Sequence, residues 1–400
     1  MKRHLAFDPP EYVNWQRDDV VMAEFEATLD RVPARRERID ALDAATLVRL
    51  YEGLIRFRLH DIGLKRWVRQ GVISKAWLGT GEEAVTVGCV HALQKGDIVG
   101  PMIRNAGACH EMGMKLSDLF RAYLGTFSQI TQGRDLHTGD PARGVLPPIS
   151  FVASLVPVLS GVALAARMRG ESRVAVTWVG DGATRTAEFH EGLNLAAVRK
   201  LPLILVLQDN AVALGTPRTT HSRAPLADMA RGYGVTGMTC EGNNVLDVWA
   251  ATSDAAARCR SGEGPVLVTA RTFRMGGHAT HDEAEARALF PADTFAQWGR
   301  RDPIGTYEAW LMERDRPLTK SAEADEPGQR LTARRQFLAE IEERVVAEID
   351  AAAAEALASR DTDMPDPSTL TTGVLRANDA GPEEPAFPPL EVMARTATGT

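Results

Sequence analysis

The chain has 400 residues, of which 44% are hydrophobic, 25% charged and 6% aromatic. These are the proportions of a soluble globular protein long enough to bury about 75% of its unfolded surface without disulfides. A net charge of -7 leaves no basic surplus for a nucleic-acid backbone, and no apolar run reaches the roughly 18 residues that a membrane helix needs.

Residues 1–42 mix charge with Pro9, Pro10 and Pro33 and read as an N-terminal arm, irregular at first and then a short charged helix. The basic start has no apolar stretch behind it, so no secretory signal is expected. Cys89, Cys109, Cys240 and Cys259 are widely spaced with no CxxC pair. That spacing disfavours a zinc or redox motif and fits a cytoplasmic protein. A body of mixed α/β pattern then runs over 43–330. Its first helix is predicted from Asp43, a capping residue, with Leu47, Leu50, Leu54 and Phe57 on one face, and should stop near Gly71.

The middle of the chain sets the fold class. Ser154 to Arg167 is apolar and Ala-rich, which predicts a buried helix. Val174 to Val179, Leu201 to Leu207 and Pro265 to Ala270 are short, near-continuous apolar runs. The first two flank a helical stretch from about Arg185 to Arg199. Such runs separated by helices predict an α/β fold with a mostly parallel sheet covered on both faces. A helix over 331–360 is predicted from the stripe Leu338, Ile341, Val345 and Ile349, which suits core or a subunit contact. Residues 361–400, rich in Pro, Asp, Glu and Thr, read as an extended tail.

One loop carries chemistry. Gly180-Asp181-Gly182 follows a strand and precedes a helix, where open parallel sheets bind ligands. Its glycines let the backbone approach a ligand, and free N–H groups beyond them suit a phosphate. A carboxylate beside a phosphate is repulsive unless a cation lies between them, so Asp181 points to magnesium bridging to a diphosphate. The next strand ends in Gln208-Asp209-Asn210. If the two strands are neighbours, the amide oxygen of Asn210 and the carbonyl of Val212 complete the protein's share of an octahedron. A nicotinamide fingerprint would need a third glycine, but the loop continues Ala183-Thr184-Arg185.

The segment GDGATRTAEFHEGLNLAAVRKLPLILVLQDN resembles the cofactor segment of alpha subunits of 2-oxo acid dehydrogenase first components. These are thiamine diphosphate-dependent enzymes acting on pyruvate, branched-chain 2-oxo acids or acetoin. LYEGLIRFRLHDIGLKRWVRQGVIS, LGTGEEAVTVGCVHAL, GDIVGPMIRNAG, RDPI and PDPSTL extend the resemblance over roughly residues 45 to 372. It implies a thiamine diphosphate-binding fold. It also implies that Asp181, Asn210 and the Val212 carbonyl hold magnesium, and that Gly182 and Ala183 lie against the diphosphate. Arg104 would bind its phosphate end, and Ser150 and Val152 would lie around the aminopyrimidine ring. His278, on a loop freed by Gly276 and Gly277, would be a catalytic histidine beside the cofactor. His137 lies in a region that the family also marks with histidine, whereas His190 reads as structural.

The family's acid that activates the aminopyrimidine comes from a separate beta subunit. The resemblance therefore implies two alpha and two beta chains, decarboxylation of a 2-oxo acid, and transfer of the acyl group to a lipoyl-bearing acyltransferase component. Pyruvate and branched-chain 2-oxo acids are the leading substrates. The sequence also departs from the family's pattern. Ile103 and Val212 stand where tyrosines are common, and Arg185, Thr186 and Ala187 replace an acidic-glycine stretch. Ala279 occupies the position of a regulatory serine, so no phosphate switch is expected there, and His281 stands where serine is common. A non-catalytic structural or regulatory paralogue is the alternative that these departures raise.

Overall fold

Apolar runs that need cover on both faces end up side by side. In the computed structural model, which describes residues 1–314, 317–318 and 327–369, five strands form one sheet. They are β1 (Ile98–Gly100), β2 (Ala175–Gly180), β3 (Leu203–Asp209), β4 (Thr236–Glu241) and β5 (Val266–Arg271). Their order is β1-β2-β3-β5-β4, and every neighbouring pair is parallel. The three apolar runs are β2, β3 and β5. The other two strands escaped the pattern because β1 has only three residues and β4 is a half-exposed edge containing Gly237.

Alternate side chains of the central strands enter different cores. Val176, Trp178, Ile204, Val206, Val266 and Val268 pack with Val85 and Cys89 of the helix Glu83–His91 and with Val248 of the helix Val245–Arg260. On the other face, Val179, Leu205 and Leu207 meet Phe189 and Leu193 of the helix Ala187–Val198, which connects β2 to β3. The expected buried helix is Leu155–Met168. It buries Leu155, Val156, Leu159 and Ala163 but leaves Val158 and Met168 exposed, so it covers the sheet with one face only.

The stretch after Asp181 corrects a second expectation. No α-helix starts there. A 3-10 turn, Gly182–Arg185, intervenes, and Thr186 caps the following helix by accepting from Phe189 N–H. The first long helix runs Ala44–Arg69. Asp43 accepts from Thr46 N–H at its start, and Gly71 adopts the left-handed φ of 72° just beyond its end. The C-terminal helix is Pro327–Thr362, with Leu338, Ile341, Val345 and Ile349 buried against Ala44–Arg69.

The arm is more ordered than its prolines suggest. It forms helices at Pro10–Val13, Asp19–Asp30 and Pro33–Asp40, and Met22, Phe25, Leu29 and Ile39 join the main core. Residues 1–364 form one compact unit; of the expected tail, only residues up to 369 are described, with a 3-10 turn at Pro367–Thr369. Among the described residues, no helix is long and apolar enough to cross a membrane. All four cysteines are unpaired and buried. Burial pushes the thiols of Cys89, Cys109 and Cys259 up to about 12 and raises that of Cys240 well above the ordinary thiol range.

A buried charge network locks the arm to the body. The Arg58 guanidinium has no solvent exposure. It pairs with Glu83, with Asp302 at 3.0 Å and with Asp8 at 3.4 Å, and it stacks over the Tyr12 ring. Removing Arg58 strands Glu83 and Asp8 away from water without a cation, while Asp302 keeps only its pair with Arg3. Arg58→Ala should therefore destabilise the chain by about 3–5 kcal/mol, whereas loss of the exposed Arg17–Asp19 pair should cost about 1 kcal/mol or less. Thermal unfolding of both variants checks the contrast.

Candidate active site

The parallel register places Gly180 beside Gln208 and Asp209 beside Arg271. The loops leaving β2, β3 and β5 therefore open at one end of the sheet. They carry Asp181, Asn210 and the stretch from Thr272 through His278.

The first half of the site is acidic. Asp181 is buried; its Oδ1 accepts from Gly182 N–H at 2.8 Å. Its Oδ2 has no hydrogen bond and lies 3.4 Å from His221 Nε2. Burial raises the pKa of this carboxyl, and nearby Asp209 adds to the rise, against the opposing pull of Gly182 N–H and His221. Asn210 is oriented by Glu82, whose Oε1 accepts from Asn210 Nδ2 at 3.0 Å and from Gln208 Nε2 at 2.9 Å. The amide oxygen of Asn210 is thereby turned away from Glu82 and accepts from Val212 N–H at 3.3 Å.

Val212 belongs to a short hairpin, Val212–Ala213 with Thr216–Pro217. A Cβ at Gly182 would come within 2.4 Å of Ala213 Cβ, so only glycine allows the hairpin to lie so close. Ala211 just before it and Leu214 in its turn have φ of 68° and 56°. Non-glycine residues in that region cost on the order of 1–3 kcal/mol each, which the surrounding structure must offset.

The second half is basic. Arg104 and Arg274 are both buried, and neither forms an ion pair with a carboxylate among the described residues. Arg104 Nη1 donates to His278 Nδ1 at 3.2 Å, and Arg274 Nη2 donates to the Leu214 carbonyl at 3.1 Å. Arg104 Nε and Arg274 Nη1 have no partner. Burial and the charge of Arg104 lower Arg274 to about 10, while Glu82, Asp282 and Asp181 pull it back up. Burial, then Arg104 and Arg274, push His278 down to about 4. Arginine only donates, so His278 Nδ1 is the acceptor and the neutral ring carries its proton on Nε2.

The structure brings together Asp181, Gly182, Ala183, Asn210 and Val212 on one side, and Arg104 and His278 on the other. Ser150 and Val152 lie on an exposed loop, and no described hydrogen bond joins them to Asp181 or Asn210. Ser150 Oγ lies 3.2 Å from His137 Nε2, whose ring also meets Asp135 at 2.8 Å. His190 pairs with the Tyr233 hydroxyl outside this group. Sequence reasoning missed Glu82, Arg274 and His221. The signal for Glu82 was an acidic pair, Glu82-Glu83, at the start of an otherwise apolar helix. For Arg274 it was a basic residue two places before Gly276.

Two unneutralised guanidiniums fit an anion, and the orphaned carboxylate oxygen of Asp181 fits a cation. Among the described residues, no group of three or more His, Cys, Asp or Glu side chains could hold a metal. A cation here would need further oxygens from the anion itself. The residues present thus fit a diphosphate with a bound divalent metal.

The neutral state of His278 is testable. Its titration midpoint, followed by NMR of labelled histidine, should lie near 4 rather than the ordinary 6.5, and Arg104→Gln should raise it. Unfolded imidazole takes its proton at the higher pH. The stability this group contributes should therefore be complete above about 6.5 and fall as the pH drops towards 4.

The sequence model described as "Dehydrogenase E1 component" matches residues 54–361. The 3-methyl-2-oxobutanoate dehydrogenase subunit alpha of Mycobacterium tuberculosis is 34% identical over 274 residues, covering 68% of this chain and 72% of that protein. The pyruvate dehydrogenase E1 component subunit alpha of Staphylococcus aureus is 31% identical over 290 residues, covering 70% and 75%. That of Acholeplasma laidlawii is 29% identical, covering 68% and 77%. With the fold and the paired charges already in place, the chain belongs to the dehydrogenase E1 component family, among the alpha subunits of the 2-oxo acid dehydrogenases.

Proposed function

We propose that this chain binds thiamine diphosphate and magnesium, acts with a beta subunit as two alpha and two beta chains, and decarboxylates a 2-oxo acid. The acyl group then passes to a lipoyl-bearing acyltransferase component in the cytoplasm. Pyruvate and 3-methyl-2-oxobutanoate are the substrates named for the relatives, so pyruvate and branched-chain 2-oxo acids are the proposed classes. The observation that carries the reading is the split site: buried arginines without carboxylates on one side, an unsatisfied carboxylate oxygen on the other.

When bound, the cofactor would supply a nucleophilic carbon for the ketone and, in its cationic ring, a sink for the electron pair released on decarboxylation. The chain's own work is to hold and orient. Asp181 Oδ2, Asn210 Oδ1 and the Val212 carbonyl are the metal ligands. Gly182 and Ala183 give the diphosphate a close backbone approach, and Arg104 and Arg274 neutralise it. His278 offers its Nε2 proton as a hydrogen bond to an anionic oxygen. Ser150 and Val152, exposed in the single chain, are proposed to meet the aminopyrimidine ring where the beta subunit closes the site.

A non-catalytic paralogue is not favoured. Asp181, Asn210, Arg104 and His278 are all present, and each is held by partners that a drifting site would have no reason to keep. Asp181→Ala in the assembled complex should abolish activity and weaken the joint binding of thiamine diphosphate and magnesium by on the order of a hundredfold or more. Calorimetry beside an activity assay measures both. Unchanged binding and activity in this variant would rule out the assignment.

A further inference from the structure

The segment bearing His278 is anchored from a direction that the family match does not include. The matched region begins at residue 54, yet residues of the arm reach the far side of this loop. Tyr12 of the arm shares a buried apolar cluster with Phe273 and Met275, which precede Gly276, and with Phe295. On the other side of His278, the helix Glu283–Leu289 carries Arg287. Its Nη1 and Nη2 donate to Oε1 and Oε2 of Glu11 at 2.9 and 2.8 Å, a two-pronged contact. Arg287 also lies 4.6 Å over the Phe295 ring. A Cβ at Gly299 would come within 2.4 Å of Glu11 Cβ, so a glycine there leaves room for Glu11 to lie flat.

Elsewhere the loop is tied by the Arg104–His278 contact, by Arg274 Nε donating to the Gly276 carbonyl at 3.3 Å, by Ala279 N–H donating to Asp282 Oδ1 at 2.8 Å, and by bonds to residues 76–80. Met275 N–H donates to the Thr80 carbonyl at 3.0 Å, and Thr280 N–H to the Ala76 carbonyl at 2.9 Å. Between those points lie Gly276, Gly277, His278 and Ala279. The conformational freedom of two glycines must be limited by what holds the two stems. Lys65 helps at Glu283, at 2.8 Å, and the arm adds a second grip on both stems, by Tyr12 before the glycines and by Glu11 after them.

We propose that the Glu11–Arg287 pair is a positioning brace by which the N-terminal arm holds the His278 loop in place for the cofactor. The inference rests on the cofactor role of that loop given above. The brace limits the arrangements from which His278 must be selected, so cofactor binding loses less entropy.

The test uses the full chain coexpressed with its beta subunit. It compares Glu11→Gln, Arg287→Gln, the two together, and the exchanged pair Glu11→Arg with Arg287→Glu. Backbone hydrogen exchange over residues 276–286 is read without ligand, and calorimetry reads affinity for thiamine diphosphate with magnesium. Each single variant should exchange about tenfold faster there and bind about three- to tenfold more weakly. The double should be no worse than either single, and the exchanged pair should recover most of both effects. Unaltered exchange, or additive losses in the double, overturns the brace. Faster exchange with unaltered affinity overturns its role toward the cofactor, and the placing of His278 with it. If the unmodified protein binds no thiamine diphosphate, the cofactor assignment fails instead, and the exchange data alone decide the brace.

Discussion

Two guanidinium groups buried together without a carboxylate are the constraint on which this site turns. Arg104 and Arg274 repel one another in a region from which water is largely excluded, and Arg274 is easier to deprotonate as a result. Such an arrangement is unfavourable for the free chain and becomes favourable only around an anion. The same reasoning, reversed in sign, applies to Asp181. The fold keeps the two halves from cancelling each other. Asp181 follows β2 and Arg274 follows β5, with β3 lying between those strands in the sheet. A direct pair would have closed the site permanently.

The strands are also why the sequence was so readable here. Apolar runs buried on both faces belong in a parallel sheet, and consecutive runs joined by one helix usually lie side by side. Asp181 and Asn210 could therefore be brought together on paper. Glu82 could not, because it reaches Asn210 across 128 positions and nothing in either segment advertises the other. Arg274 and His221 are of the same kind. Their meaning comes from which loops share one end of the sheet. Ser150 and Val152 came from resemblance alone, and they are exposed in the single chain.

The arm shows a different limit. Its prolines dominated the pattern and suggested irregular chain, yet Val21, Met22, Phe25 and Leu29 recur at helical steps and are buried. Two of its prolines sit in first helical turns, where a missing N–H does no harm. Through Asp8, Tyr12 and Glu11, the arm meets both the buried Arg58 network and the loop stems. Packing of the arm and order in the active-site loop are thus linked by the same few side chains.

The four buried thiols acquire a meaning from the proposed reaction. An enzyme whose acceptor is a lipoyl disulfide presents its own surface to that disulfide at every turnover. An accessible thiolate there would invite exchange and a dead-end mixed disulfide. Cys89, Cys109, Cys240 and Cys259 are shielded and held protonated far above neutral pH, so none is available as a nucleophile. Their burial keeps cysteine thiolates out of exchange with the disulfide acceptor proposed for this chain.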